Sequence, residues 1–321
     1  MKILITGVHG FVGSNLVDYL KRDNIIYGLD IISPTKEGVK YTFSWDFLDK
    51  PGEIPEVDAI IHLAGKAHDT KNQTESDVYF KVNFGLTTKI FDWFLTQPKC
   101  KKFVFFSTAK AAADKVEGIL KEDVIPSPVG PYGESKIAAE NYIKEKYKDE
   151  GLEFGAGELG DKRVYIFRPC MIHGPGNKGN LNLLYNVVRK GIPWPLGAFE
   201  NRRTFTSVEN ICFAVNGVIT KDVPSGIYNM GDDEGLSTNE LIEEICKSLG
   251  KKAHIWKLPK GLMNGVAKIG GALHLPLNPE RLRKLTESYV SSNEKIKKAL
   301  GVEKMPVDAR EGLKVTLKSF R

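Results

Sequence analysis

With 321 residues, 41% hydrophobic and 27% charged, the chain is long enough to bury a full core, as one large domain or two smaller ones. A net charge of +6, with lysines and acids alternating along most of the sequence, argues against a concentrated nucleic-acid stripe and fits a site for an anionic small molecule. Four scattered cysteines (Cys100, Cys170, Cys212, Cys246) without a C-x-x-C pair, and six histidines without H-x-x-x-H spacing, argue against a disulfide framework and a zinc site; no metal is expected, and a reducing compartment is.

The N-terminal apolar run is interrupted by Gly7, Gly10, Gly13 and Asp18, and no small-residue cleavage site follows it. No window reaches about 18 apolar residues, so no membrane span is expected. The expected location is the cytoplasm, with neither a nucleic-acid nor a membrane partner.

Lys2–Thr6 is a short apolar run, read as a buried parallel strand. Gly7-Val8-His9-Gly10-Phe11-Val12-Gly13 follows at once, and Ser14 to Arg22 has helical periodicity through Leu16, Val17 and Leu20. The glycines, spaced G-x-x-G-x-x-G, permit a tight turn and close backbone approach to a pyrophosphate. The helix N-terminus then faces that anion. Ile25 to Asp30 is the second strand and ends in a carboxylate. An acid there accepts hydrogen bonds from a ribose 2′-OH and repels a 2′-phosphate, which favours NAD over NADP. Asp46-Phe47 closes the next short strand, within reach of an adenine.

Val57 to Gly65 is a fourth strand-to-turn unit, whose small residues let backbone pass close to a ligand. Val78 to Leu95 is a long helix containing Asn83. Lys102 to Thr108 is a buried strand ending in two hydroxyls, Ser107 and Thr108. Pro131-Tyr132-Gly133-Glu134-Ser135-Lys136 opens the next helix. Tyr132 and Lys136 are four apart and share one face, a candidate acid/base pair. Arg163 to Arg168 is the sixth strand, after an aperiodic, glycine-rich stretch at 150–162 read as an exposed loop.

Strand and helix alternate through residue 170, the signature of an α/β, Rossmann-like doubly wound parallel sheet. Ligands of such sheets sit at the carboxyl ends of the strands, where Gly7–Gly13, Asp30, Ala64–Gly65 and Ser107–Thr108 all fall. Beyond 170 the texture changes. A loop at 173–180 precedes a helix at 181–189, and 191–197 is another loop. Asn201-Arg202-Arg203-Thr204-Phe205 carries two cations beside an aromatic. Residues 208–218 read as a helix, 226–230 as a strand, and 238–249 as a helix with a threonine at its start. The remainder is helical and basic. Residues 1–170, with 204–222 returning to them, are expected to form the nucleotide-binding domain. Residues 171–321 are expected to form mainly a smaller C-terminal substrate-binding lobe.

Together these motifs resemble the extended short-chain dehydrogenases/reductases of the NAD-dependent epimerase/dehydratase type, which act on nucleotide sugars. The resemblance runs nearly end to end. It rests on the glycine turn, His62-Leu63-Ala64-Gly65, Asn83, Phe105-Phe106-Ser107-Thr108, Tyr132-x-x-x-Lys136, Arg168-Pro169 and Asn201-Arg202-Arg203. The run from Gly174 through Asn180 and Pro195-Leu196-Gly197-Ala198 to Arg203 is most similar to bacterial surface-polysaccharide enzymes working at sugar C4. That branch holds UDP-sugar 4-epimerases and reductases of UDP-4-keto-6-deoxy-N-acetylhexosamines.

The resemblance implies NAD as cofactor and a UDP-sugar as substrate. It makes Tyr132 the acid/base, its phenolate favoured by Lys136 and the positive nicotinamide ring. Lys136 also holds the nicotinamide ribose, and Thr108 replaces the usual serine beside the reacting oxygen. Cofactor contacts are implied at Gly7, Gly10, Phe11, Val12 and Gly13 of the turn, and at Asp30, Ile31, Asp46 and Phe47. Further contacts are implied at Leu63, Ala64, Gly65, Asn83, Ser107, Tyr132, Lys136 and Pro169. Substrate contacts are implied at Lys66, Thr108, Asn180, Arg203 and Arg281, with Arg283 an alternative cation for the diphosphate. Met171 stands where many epimerases carry a diphosphate-binding asparagine. Ala109 and Lys110 stand where 4,6-dehydratases usually carry acids, which argues against that activity. The expected function is a UDP-hexose or UDP-N-acetylhexosamine 4-epimerase. The alternatives are an NAD(P)H-dependent C4-reductase and, more remotely, a non-catalytic NAD-binding regulator. A homodimer packed through the 78–95 helix and the Tyr132 helix is compatible with the family.

Overall fold

The computed structural model describes residues 1–50, 54–67, 75–151, 154, 161–177, 179–273 and 277–321. Most of the loop expected at 150–162, and Lys178, lie outside these residues. The strands are β1 (Lys2–Thr6), β2 (Ile25–Leu29), β3 (Val39–Phe43), β4 (Ala59–His62), β5 (Lys102–Phe106), β6 (Ile119–Leu120), β7 (Arg163–Pro169), β8 (Met171–His173), β9 (Phe205–Ser207), β10 (Gly226–Met230) and β11 (Val290–Ser291). The helices of the first half are α1 (Phe11–Leu20), α2 (Ser76–Tyr79), α3 (Leu86–Thr96), α4 (Ala109–Ala112) and α5 (Pro131–Asp149). Those of the second half are α6 (Asn180–Arg189), α7 (Val208–Thr220), α8 (Thr238–Ser248), α9 (Lys260–Ala272), α10 (Pro279–Thr286), α11 (Glu294–Leu300) and α12 (Ala309–Ser319).

Seven strands form one parallel sheet in the order β10-β7-β5-β4-β1-β2-β3. The order reverses between β1 and β4, which opens a crevice at their carboxyl ends. The near-continuous apolar strands follow from burial on both faces. Alternate residues serve opposite cores: Val104, Phe106, Tyr165 and Phe167 pack with α1, α7 and α11, while Phe103, Phe105, Val164 and Ile166 pack with α3 and α5. A third core joins α6, α8 and α12 to β9. The seventh strand, β10, comes from beyond residue 170 and pairs with β7.

Several elements differ from the sequence expectation. Helix α1 begins at Phe11, because the turn closes at Gly10, whose N–H donates to Gly7 O at 2.9 Å. β3 ends at Phe43, and Asp46-Phe47 lie instead in a 3-10 turn, Trp45–Asp49. The Ser44 hydroxyl donates to the Asp46 carboxylate there, a local bond that competes with strand pairing. The long helix around Asn83 is interrupted by a π-helical segment, Phe80–Gly85. Helix α8 is capped by Ser237 rather than Thr238, through a capping box closed by Glu240.

Lys162 secures the end of α3. Its ammonium donates to Phe94 O (2.7 Å), Gln97 O (2.6 Å) and Cys100 O (3.1 Å), satisfying carbonyls that a helix C-terminus leaves open. Burial lowers its pKa. Replacing it, Lys162→Met, should cost about 1–2 kcal/mol, allowing for its partial exposure, in urea denaturation. A change within about 0.5 kcal/mol, the range of ordinary surface substitutions, would contradict this role.

Candidate active site

Two elements bring the chemistry together at the carboxyl edge of the sheet. β5 delivers Ser107 and Thr108, and α5, with Pro131 in its first turn, delivers Tyr132 and Lys136. They open on a cavity of about 360 Å³, whose wall includes Phe11, Val12, Leu63, Gly65, Ser107, Thr108, Tyr132, Lys136, Pro169, Asn180 and Arg203. Thr108 caps the short α4, its Oγ1 accepting from Lys110 N at 3.3 Å.

Burial raises the Tyr132 phenol above its ordinary value. A hydrogen bond with Thr108 opposes that rise, and nearby Tyr79 adds to it. The phenolate expected from the sequence is one favoured by Lys136 and the positive nicotinamide ring together. In the chain by itself burial dominates and the shift is upward; the Lys136 Nζ donates to Phe106 O at 2.8 Å. Lys136 is buried, and burial lowers its pKa to about 8 against an opposing pull from Glu140. Gly65 leaves room for it; a Cβ there would lie 3.1 Å from Nζ and 2.9 Å from Asn83 Oδ1.

Glu140, which the sequence reading missed, lies one turn beyond Lys136 and is fully buried. It accepts from Arg168 Nε (3.0 and 3.2 Å) and Nη2 (2.7 Å), and from the Ser107 hydroxyl. The signal was present: Tyr132, Lys136 and Glu140 continue one i, i+4 series. Tyr289 and Asn177 also line the cavity and were missed. Asn177 shapes the loop before α6 by accepting from Gly179 N (2.6 Å) and donating to Ile172 O (2.9 Å). Tyr289 arrives from far along the chain and donates to Ala113 O at 2.8 Å.

A second network fixes the loop after β4. Thr6 Oγ1 accepts from Leu63 N (3.1 Å) and Ala64 N (3.0 Å), so its own proton points to His62 Nδ1 at 2.7 Å. His62 Nε2 then donates to Thr87 Oγ1 (2.9 Å), which donates to Asn83 O (2.6 Å). Burial, and then the Lys136 charge, hold His62 well below its ordinary pKa, so it is neutral. The Asn83 side chain accepts from Lys66 N (2.7 Å) and donates to Lys66 O (3.1 Å) and Ser135 Oγ (3.0 Å). The Asn83 side chain thus holds the Lys66 peptide, and neither residue is in the cavity wall. Arg281 is exposed and also outside the wall, whereas Arg283 lies 3.6 Å from Asp114.

The crevice between β1 and β4 fits a dinucleotide. Gly7 has φ +68°, and a Cβ on Gly13 would lie 2.4 Å from Gly7 O, so both positions require glycine. Among the described residues no side chain caps α1, whose first N–H groups are open to an anion. Asp30 follows β2 directly and accepts from His9 N (3.1 Å) and Ile31 N (2.8 Å), with lone pairs left for a ribose diol. Ala64 N lies beside Gly7, while Ile31 and Asp46 are exposed at the rim, with Phe47 packed on Phe43.

The Lys136 shift has a consequence for stability. In the folded chain this lysine holds its proton only below about pH 8, and in the unfolded chain up to its ordinary 10.5. Between those values the unfolded state binds more protons, so stability rises with pH. Urea denaturation of the wild type and Lys136→Met should diverge across that window, the wild type gaining up to about 3 kcal/mol relative to the variant. A difference that is flat with pH would contradict the buried, depressed lysine.

Comparisons with known proteins agree with this geometry. The model of the "NAD dependent epimerase/dehydratase family" matches residues 3–231. A UDP-glucose 4-epimerase of Vibrio cholerae is 29% identical, across 99% of this chain and 95% of that protein. A dTDP-4-dehydro-6-deoxyglucose reductase of Escherichia coli is 25% identical, across 79% of this chain and 83% of that one. The Thermus thermophilus UDP-glucose 4-epimerase, solved as a complex with NAD, shares the fold at a TM-score of 0.74 and 24% identity, covering 100% of this chain and 99% of that chain. The chain belongs to the NAD-dependent epimerase/dehydratase family of extended short-chain dehydrogenases/reductases, and it is an NAD-dependent enzyme.

Proposed function

We propose that the chain is a UDP-hexose or UDP-N-acetylhexosamine 4-epimerase, serving surface-polysaccharide biosynthesis. One observation carries the reading. Among the described residues, the cavity wall holds the Thr108 hydroxyl beside the Tyr132 phenol, three cations (Lys110, Lys136 and Arg203), and no carboxylate. A 4,6-elimination needs further acid and base groups at C5 and C6, whereas oxidation and reduction at C4 need only one. Cations without carboxylates suit a sugar carried on a diphosphate, and the Arg203 guanidinium offers a fork for phosphate oxygens.

In this reading the glycine turn, Asp30 and Lys136 hold NAD, which supplies the hydride acceptor for C4 and the donor that returns it. Tyr132 takes the proton of the C4 hydroxyl, while the Thr108 hydroxyl donates to the same oxygen. The oxidised sugar turns over in the cavity, so that hydride returns to the other face of C4 while Tyr132 gives the proton back to the C4 oxygen. The phenol is raised in the chain alone, so it loses its proton readily only with added positive charge beside it. The C4 epimerase among the relatives supports the reaction type.

Purified protein, given UDP-glucose or UDP-N-acetylglucosamine and no added cofactor, should form the C4 epimer. Tyr132→Phe should lose about 10²–10⁴-fold in turnover while retaining NAD. No interconversion, together with NADH consumption on a 4-keto sugar, would replace the epimerase by the C4-reductase. A Tyr132→Phe protein with full turnover would remove the phenol from the mechanism.

A further inference from the structure

Helix α9 has two apolar faces and only one of them is packed. Met263, Ala267 and Gly270 are buried, and Met263 and Ala267 pack with Leu196 and Leu282. Leu262, Val266, Ile269 and Leu273 form a second row at i, i+4, i+7 and i+11, and are 54%, 43%, 61% and 64% exposed. Trp256, just before the helix, is 54% exposed. Gly261 and Gly265 are also exposed, with nothing near the position of a Cβ. A helix with such glycines and an open aliphatic row is poorly suited to water.

The charge around it is equally uneven. Residues 251–286 contain six lysines and two arginines against the single acid Glu280, a net +7 in a chain whose total is +6. The rest of the protein is thus close to neutral. Lys252, Lys257 and Lys268 form no ion pair among the described residues.

We infer that α9 and its basic flanks dock on an anionic lipid bilayer, with the Leu262–Leu273 row in the headgroup boundary. A continuous aliphatic row beside unpaired lysines matches a surface that is apolar beneath and negative above. The low-polarity surroundings also strengthen the backbone hydrogen bonds of a glycine-rich helix. A second copy of the chain would bring the same +7 segment against itself, which charge disfavours. The row is aliphatic, without the stacking rings a nucleic acid would use. At 13 residues the helix is too short to span, and no helix among the described residues is long and apolar enough to cross a membrane. It lies on the surface instead, which departs from the sequence expectation of no membrane partner.

The docked element is tied to the active site. α10 follows α9 and packs on it; Arg203, in the cavity wall, donates to Lys284 O of α10 at 2.8 Å. Tyr289, just past α10, is also in that wall. Docking therefore anchors the elements that carry Arg203 and Tyr289, and this inference stands independently of the C4 reaction.

Vesicle co-sedimentation of the full-length protein tests it. Wild type should sediment with vesicles of equal parts phosphatidylcholine and phosphatidylglycerol, should not with phosphatidylcholine alone, and should be released by high salt. The pair Leu262→Glu/Ile269→Glu, and separately Lys257→Glu/Lys268→Glu, should each weaken binding at least about tenfold with melting temperature and turnover unchanged. No sedimentation of the wild type with anionic vesicles would overturn the proposal without recourse to any variant. So would binding that both variant pairs retain. A lipid-free dimer that Leu262→Glu/Ile269→Glu dissociates would assign the face to a second copy instead.

Discussion

The carboxylate of Glu140 is the group on which the active site hangs. It is removed from water with Arg168, and a buried pair of this kind is tolerated only with good geometry and every lone pair used. Here two guanidinium nitrogens and the Ser107 hydroxyl fill the carboxylate's side of that condition, while Arg168 Nη1 is buried without a partner among the described residues. The bond set ties α5 to β5 and β7. That fixes the rotation of the one helix whose face carries Tyr132, Lys136 and Glu140. Leaving either charge alone in the interior would cost about 3–5 kcal/mol. With Arg168 and Glu140 neutralising one another, Lys136 is the remaining charge beneath the cavity, and its depressed pKa is the stability that the fold gives up to keep it there.

The opposite wall is held without charge. Thr6, His62, Thr87 and the Asn83 carbonyl form a directed chain of neutral hydrogen bonds from β1 to the π-helical segment. The Asn83 side chain then grips the Lys66 peptide and Ser135 of α5. A neutral histidine suits this position, because a second cation beside Lys136 would repel it. The site is thus a rigid hydroxyl pair between two fixed walls, with a polar, cationic mouth formed by the second half of the chain.

The sheet was legible because strands buried on both faces read as unbroken apolar runs, and because glycine is required at Gly7 and Gly13 by contacts no other residue allows. Thr108, Tyr132 and Lys136 were legible because a strand end and an i, i+4 pair are local patterns. The third strand was misplaced toward Asp46 because the Ser44 to Asp46 bond is a turn signal written in side chains, not in hydrophobicity. The π-helical segment left no periodic mark. Tyr289 entered the site through tertiary folding alone. The direction of the Tyr132 shift follows from the burial of its phenol, which spacing does not encode. The charge excess at 251–286 was countable from the start, but gained meaning only once the fold showed the second face of α9 to be open.

On the proposed reading the chemistry narrows to one proton-transfer group at one sugar carbon, with the diphosphate as handle. The most direct test uses substrate carrying deuterium at C4, mixed with unlabelled substrate of different mass, and follows the product by mass spectrometry. The account predicts that every product keeps its own label at C4, with no crossover between molecules and no solvent hydrogen at C4, C5 or C6. Solvent hydrogen in the sugar ring, or label lost from C4, would contradict it.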